Sequence, residues 1–401
     1  MCPDIFHALY FVLAKCVAEP RRDTRAASRS TPARMKGQDM HQFRNDYSEG
    51  AAPEMLEALI RTNDEQAPGY GTDSHCEHAA DLIRAACGQP DAFVQFIPGG
   101  TAANSVCISA FTEDFEGPIL AADAHPTAHE TGAVEACGRR ILATNDTLGV
   151  LTPAEVERVY HASIAGGCHC TRPAMLYFSN TSEFGHVYTR TEFDALCDVA
   201  ERLDLAVYVD GARMASALAA SGGDLTLEHL AARADAFTLG GTKAGMLFGE
   251  ALVVNPRSKR GRRAIDRIPY LTKRGGHMTA KGRLMGVQYT AAFTRGKDGS
   301  LPYFAHAASA NECACMLAHG LENAGFEPHV RTNGNQQFFW FDSDDAVRIV
   351  EACGAEVTPA VDPAGRDRIL LRFVTSWACR PEHVNELLEF VRGPVSYTHL
   401  T

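Results

Sequence analysis

The sequence predicts an α/β protein: a mostly parallel sheet sandwiched by helices, followed by a small C-terminal α+β domain. Three observations lead there. Between Pro53 and Val254, helical patterns alternate with short β-branched runs, as in parallel strands joined by crossover helices. The run Leu205 to Val209 is continuously apolar, which reads as a strand buried on both faces. Beyond a Gly- and Lys-containing loop around Phe293 to Leu301, the order changes to helix, strand, helix, strand.

The elements follow in order. Pro53 to Asn63 carries apolar residues at helical spacing, and Glu77 to Cys87 reads as a second helix. Phe93 to Ile97 is a strand, after which Pro98-Gly99-Gly100-Thr101 opens a helix from Ala102. Pro118 to Ala122 is a strand ending at Asp123, Met175 to Ser179 another, and Thr189 to Leu203 a helix. Leu205–Val209, Ala236–Leu239 and Ala251–Val254 complete the sheet. The C-terminal part reads as helix Ala305–Ala324, strand Gln337–Phe341, helix Asp345–Cys353 and strand Arg368–Phe373, with a last helix ending near Val391. The domains are therefore 41–295, a large domain with an N-terminal arm, and 296–392, a small one.

Both ends have a foreign composition. Residues 5–18 are apolar but short, with His7 and Lys15 inside, and an Arg- and Ser-rich stretch runs from Arg21 to Arg34. A signal or transit peptide is one reading. An upstream reading-frame extension, with Met35 or Met40 as the natural start, is the other. The tail Val395 to Thr401 looks like translated adapter sequence. Residues 1–40 and 393–401 are expected to stand outside the core.

At 401 residues, two domains are the prior. A 45% hydrophobic and 22% charged composition is that of an ordinary globular protein. The net charge of −11 and the lack of a basic stripe interleaved with aromatics argue against nucleic acid as a partner. No apolar run has membrane-spanning length, so no membrane partner is expected. Thirteen scattered cysteines point to free thiols and a reducing, cytoplasmic setting. The pairs Cys168/Cys170 and Cys313/Cys315 lack the two-residue gap of a zinc site, so no metal is expected.

Two segments carry the chemistry. Asp210 closes the strand Leu205–Val209, where ligands bind in open α/β sheets. One crossover later, Lys243 sits on the small-residue loop Gly240-Gly241-Thr242-Lys243-Ala244-Gly245. A strand-end carboxylate can pair with a pyridinium nitrogen, and such a lysine can form a Schiff base. In that order they are the protein's share of pyridoxal phosphate (PLP) chemistry. Gly99-Gly100-Thr101-Ala102, between a strand and a helix, suits a phosphate. His125, just past a strand, can stack on a pyridine ring and relay protons, and His129 lies one helical turn on. Arg213 and Arg372 can each bind a substrate carboxylate or form a structural ion pair with a protein Asp or Glu.

These blocks stand in one succession: Phe43-Arg-Asn-Asp-Tyr-Ser-Glu-Gly-Ala-Ala-Pro53, Gly69-Tyr70-Gly71-Thr-Asp73, the Gly-Gly-Thr cup, His125…Glu130-x-Gly132, Asp210-Gly-Ala-Arg213, Lys243 and Arg372-Phe-Val-Thr375. Over about residues 41–392 the chain resembles the low-specificity threonine aldolases, of the β-eliminating lyase group of fold-type-I PLP enzymes. The resemblance implies retro-aldol cleavage of a β-hydroxy-α-amino acid to glycine and an aldehyde. It implies that Lys243 carries the cofactor, Asp210 pairs with the pyridinium and His125 stacks and moves protons; these three are the catalytic candidates. Gly100 and Thr101 would hold the phosphate, with Thr242. Arg213 and Arg372 would bind the substrate carboxylate, helped by Asn45, where the family commonly has Ser. Tyr70 would reach the site of a neighbouring subunit in a homodimer or homotetramer. The family's Gly-Gly-Gly-Met-Arg loop reads here Gly275-Gly276-His277-Met278-Thr279-Ala280-Lys281, so Lys281 is the candidate replacement for a phosphate-binding arginine. β-Elimination, transamination and racemisation share Lys243 and Asp210 and remain alternatives, as does a catalytically dead PLP-fold binding protein.

Overall fold

A computed structural model describes residues 40–145 and 148–393. Apart from Met40 and Gly393, the segments expected to stand outside the core lie outside the described residues. The large domain is built on seven strands: β1 (Phe93–Ile97), β2 (Glu116–Leu120), β3 (Leu142–Ala143), β4 (Arg172–Ser179), β5 (Ala206–Asp210), β6 (Ala236–Gly240) and β7 (Glu250–Val254). They lie in the order β1-β7-β6-β5-β4-β2-β3. The pairs from β6 through β5, β4 and β2 to β3 are parallel, and β7 is antiparallel to both its neighbours. Every residue of β2, β5, β6 and β7 is buried, as both faces of the sheet are covered by helices.

The expected strand over Pro118–Ala122 is displaced: it spans Glu116–Leu120. Ala124 N–H donates to Ala121 O at 3.1 Å, so a turn ends the strand and Asp123 belongs to that turn. The helix expected from Ala102 begins earlier, at Gly100, and runs to Phe111. From Ala103 onward all its residues are buried, the pattern of a helix enclosed by its neighbours. Against it packs the helix Lys259–Arg274, whose Gly261, Ala264, Ile268 and Thr272 form one buried stripe at helical spacing. The helix Ser74–Cys87 is capped by Asp73, whose Oδ1 accepts from Cys76 N–H at 3.0 Å, and ends at Gly88 with φ 62°.

The small domain is a four-stranded antiparallel sheet in the order β10-β11-β9-β8. Its strands are β8 (Glu327–Val330), β9 (Gln336–Phe341), β10 (Glu356–Thr358) and β11 (Ile369–Val374). The helices Pro302–Asn323, Ser343–Cys353 and Pro381–Arg392 accompany it. The alternation of β9 sends Phe339 and Phe341 into the small-domain core, while Phe338 and Trp340 pack in a separate cluster with Leu370 and Phe184. The short strands β8 and β10 went unseen in the sequence.

The N-terminal arm spans both domains. Phe43 is buried in the small-domain core, its N–H donating to Cys353 O and its carbonyl accepting from Val374 N–H, each at 2.8 Å. A few residues on, Ala52 N–H donates to Gly245 O at 2.8 Å, beside the Lys243 loop. Among the described residues, no helix is long and apolar enough to cross a membrane.

Candidate active site

The carboxyl ends of β4, β5 and β6 open into a cavity of about 250 Å³. Gly100, Thr101, His125, Asp210, Arg213, Thr242 and Lys243 all line it. Two glycines bring its halves together. A Cβ on Gly211 would sit 1.8 Å from Thr238 O, and one on Gly240 would sit 2.6 Å from Ala212 O. Only without side chains can the turn after Asp210 lie against the end of β6, where Gly240 N–H donates to Gly211 O at 2.9 Å. That contact sets Lys243 beside Asp210.

Asp210 is 4% exposed and its carboxylate is held from three directions. Oδ2 accepts from Tyr177 O–H at 2.6 Å and from Asn104 Nδ2 at 2.9 Å, and Oδ1 accepts from Ala212 N–H at 2.9 Å. A carboxylate has about four lone-pair sites, so one acceptor position is left on the cavity side. Both polar atoms of Asn104 are engaged: its second N–H goes to Glu130 Oε1 at 2.8 Å, and its Oδ1 accepts from Tyr208 O–H at 2.8 Å. Asp210 thus cannot rotate without breaking a network of three segments.

His125 belongs to the same network. Its Nδ1 lies 2.8 Å from Glu130 Oε1, and the Glu130 side chain is fully buried. With Nδ1 on Glu130, Nε2 is the free nitrogen. Burial alone would lower the imidazole pKa. The hydrogen bond that Nδ1–H donates to Glu130 and the charges of Glu183, Asp210 and Glu130 outweigh burial and raise it. His125 is therefore a stronger base than an ordinary histidine.

Lys243 lies in the short 3-10 turn Thr242–Ala244. Burial first, then the Arg213 cation, lower its pKa against the pull of Asp46, Glu183 and Asp210. A lowered amine pKa favours the nucleophilic form.

The residues fit PLP. The helix Gly100–Phe111 has no side-chain cap at Gly99 and no acidic residue in its first turn, so its leading N–H groups are free for an anion. A Cβ on Gly99 or Gly100 would meet nothing within 4 Å; the space glycine leaves there is the cavity itself. Thr101 and Thr242 add hydroxyls on the same side, Lys243 an amine, and Asp210 its open acceptor position.

The remaining candidates are already paired or stand elsewhere. Arg213 lines the cavity, but its Nε and Nη2 already bond Asp46 at 2.7 and 3.1 Å. Asp46 is 1% exposed and also accepts from Asn335 Nδ2 at 2.8 Å. Burial of Asp46 opposes ionisation, but the Arg213 and Lys243 charges outweigh it and hold its carboxyl below the usual range. Arg372 is not among the lining residues. It faces Glu356, directly opposite on β10, and Nη2 donates to that carboxylate. Each arginine thus makes the ion pair that was one of its two readings. Asn45 turns its Oδ1 to Tyr47 N–H at 3.0 Å and Ser48 O–H at 2.9 Å. Tyr70 and Lys281 lie together on another face: Tyr70 N–H donates to Ala280 O at 3.1 Å, and Lys281 is exposed.

Several lining residues escaped the sequence reading: Asn104, Ser179, Thr181, Glu183 and Glu250. Glu183 had a usable signal, as it follows the end of β4 much as Asp210 ends β5. Glu250 had none, because the antiparallel course of β7 is not a local property. Among the described residues, His41 of the N-terminal arm and Cys379 and His383 of the small domain bring potential metal donors within 4.8 Å of one another. The two imidazoles stack at 4.3 Å and 11°, so their lone pairs run side by side rather than converge.

The sequence profile described as β-eliminating lyase matches residues 42–344. A low-specificity L-threonine aldolase of Pseudomonas sp. strain NCIMB 10558 is 29% identical over 361 residues, covering 88% of this chain and 98% of that protein. That of Pseudomonas aeruginosa is 28% identical over 354 residues, 88% and 97% of the two chains. A solved threonine aldolase of Leishmania major is 33% identical and superimposes with a TM-score of 0.82, covering 88% of this chain and 98% of that one. With a fold-type-I scaffold and a profile match from the arm into the small domain, the chain belongs to the β-eliminating lyase family and is a PLP-dependent lyase.

Proposed function

We propose that the protein cleaves the Cα–Cβ bond of β-hydroxy-α-amino acids of the L-threonine and L-allo-threonine type, releasing glycine and an aldehyde. The observation that carries this is the His125–Glu130 pair: an imidazole with a raised pKa, oriented by a buried carboxylate, at a cavity shared with Lys243 and Asp210. Similarity to three threonine aldolases supports it.

When bound, the cofactor supplies an electron sink for the pair left at Cα. The side chains do the rest. Lys243 would hold the cofactor through its amine, which the substrate amine would free again. Asp210 would keep a proton on the ring nitrogen through its open acceptor position. Gly100, Thr101 and Thr242 would receive the phosphate at the helix start. Arg213 orients the substrate carboxylate from the cavity wall, with Arg372 and Asn45 as further candidates. His125 takes the β-hydroxyl proton; the oxygen becomes the aldehyde carbonyl as Cα–Cβ breaks, and Cα then gains a proton to give glycine.

L-threonine, L-allo-threonine and L-phenylserine are expected to yield glycine and the matching aldehyde with no keto acid acceptor. His125→Ala should slow this release by about 10²–10⁴-fold while the bound cofactor's absorption persists. Pyruvate from serine or cysteine, with no glycine from any of the three substrates, would mean β-elimination. A requirement for a keto acid would mean transamination.

The assembly we propose is a homodimer or homotetramer with shared sites. Tyr70 and Lys281 support it, since both lie away from the Lys243 cavity of their own chain and Tyr70 is 50% exposed. If they serve a neighbour, mixing inactive Lys243→Ala and impaired Tyr70→Phe proteins should restore part of the activity, because a mixed dimer owns one intact site. Full turnover by a monomer in solution would exclude sharing.

A further inference from the structure

Two carboxyls in the cavity, Glu183 and Glu250, have no part in that scheme, and of the two Glu250 is the buried one. Glu250 opens β7, and the antiparallel course of this strand delivers it to the end of the sheet where β5 and β6 stop, between Gly240 and Ile97. It lines the cavity, is 4% exposed, and its Oε2 is buried with no hydrogen-bond partner. An ionised carboxylate so placed is costly, and retaining a proton removes the cost. Asp210 on β5 and Lys243 on the loop after β6 are the charged groups that act on it. Tyr208 on β5, Tyr289 on the helix Arg283–Phe293 and Tyr303 on the helix Pro302–Asn323 are the tyrosines that feel its charge. Burial first, then Asp210, push the Glu250 carboxyl up to about 8, against the pull of Lys243. Lys243 is shifted the other way, downward. Both side chains line the same small cavity, so the charge carried by one bears on whether the other keeps its proton.

We propose that Glu250 is a positioning residue that shares a proton with Lys243. Glu250 holds the proton when the lysine amine must be free to capture or release the cofactor, and ionises when the Lys243 nitrogen carries positive charge. The proton moves from one side chain to the other across the cavity that both line, and nothing else is consumed. The proposal rests on Lys243 being the anchor, so borohydride reduction with peptide mapping comes first; label on another lysine defeats the anchor reading and the shared proton with it.

With the anchor established, the visible absorption of bound PLP is titrated with pH. An anion at position 250 stabilises a positive nitrogen on Lys243, so the wild type should keep the protonated band to higher pH. In Glu250→Gln the midpoint should fall by about one unit. An unmoved midpoint in cofactor-loaded Glu250→Gln overturns the proposal. A second readout needs no cofactor. Because the folded-state pKa of about 8 exceeds the ordinary 4.5, the unfolded chain sheds a proton that the folded chain keeps, and stability falls as pH rises between those values. Cofactor-free Glu250→Gln should therefore melt higher than wild type near pH 8 and no higher near pH 4.5. Equal melting at both would show that Glu250 keeps no proton. Should Glu250→Gln not fold, wild-type protein carrying 13C in its glutamate carboxyls should show one resonance titrating near pH 8, and its absence overturns the proposal.

Discussion

Lys243→Ala is expected to abolish covalent capture of PLP and to lower turnover by about 10³-fold or more, since it removes both the anchor and an amine able to move protons at the reacting carbon. Borohydride reduction of the wild type should place the label on Lys243. The placement follows from the chain itself: Gly240 lets the loop lie against the Asp210 turn, and the 3-10 turn Thr242–Ala244 directs the amine into the cavity. Lys273 and Lys281 are the controls. Lys273 holds its Nζ 4.5 Å over the Tyr70 ring and Lys281 is exposed, and neither lines the cavity. Label on either, or substantial turnover by Lys243→Ala, would defeat the assignment.

Asp210→Asn is expected to keep PLP bound through the phosphate contacts and Lys243, yet to lose turnover by about 10²–10³-fold, the scale for removing one preorganised electrostatic group. Three donors converge on the Asp210 carboxylate, from Tyr177, Asn104 and Ala212. An amide there can satisfy two of them with its oxygen but turns its NH₂ toward the third donor or toward the ring nitrogen. In neither arrangement can it hold a proton on that nitrogen. The check is turnover alongside the bound cofactor's absorption, and a near-wild-type rate would show that the sink is tuned elsewhere. The network also predicts a graded neighbourhood. Tyr177→Phe leaves two donors on Asp210 and should cost less than Asp210→Asn itself, measured as kcat on the same substrate.

Much of this architecture can be read from the chain. The strands β4, β5 and β6 fall within a few residues of their apolar runs, because a strand buried on both faces must be largely apolar, while the partly buried edge strand β1 shows itself by its Phe, Val and Ile content. Asp210 and Lys243 were legible for a related reason: a carboxylate at the end of such a run and a lysine on a glycine loop are local patterns. The displaced β2 shows the limit. Apolar character continues past Leu120, and only the Ala121–Ala124 turn decides where the ladder stops.

What the chain alone determined, then, is the α/β class, the succession of the strands β1, β2, β4, β5, β6, β7, β9 and β11, and a set of candidates, Gly100, Thr101, His125, Asp210 and Lys243, that line one cavity. Only the tertiary structure decided what those residues touch. Asn104 joins Asp210 to Glu130 across three segments distant in sequence. Asp46, carried over by the arm, occupies two nitrogens of Arg213, and Glu356 meets Arg372 across a short strand that leaves little trace in the sequence. Glu250 enters the cavity solely because β7 runs against its neighbours. The reason is physical. Periodicity and turn chemistry act over a few residues and are written locally, whereas the partner of a buried charge, and the direction of a strand, are settled by which distant surfaces fold against each other.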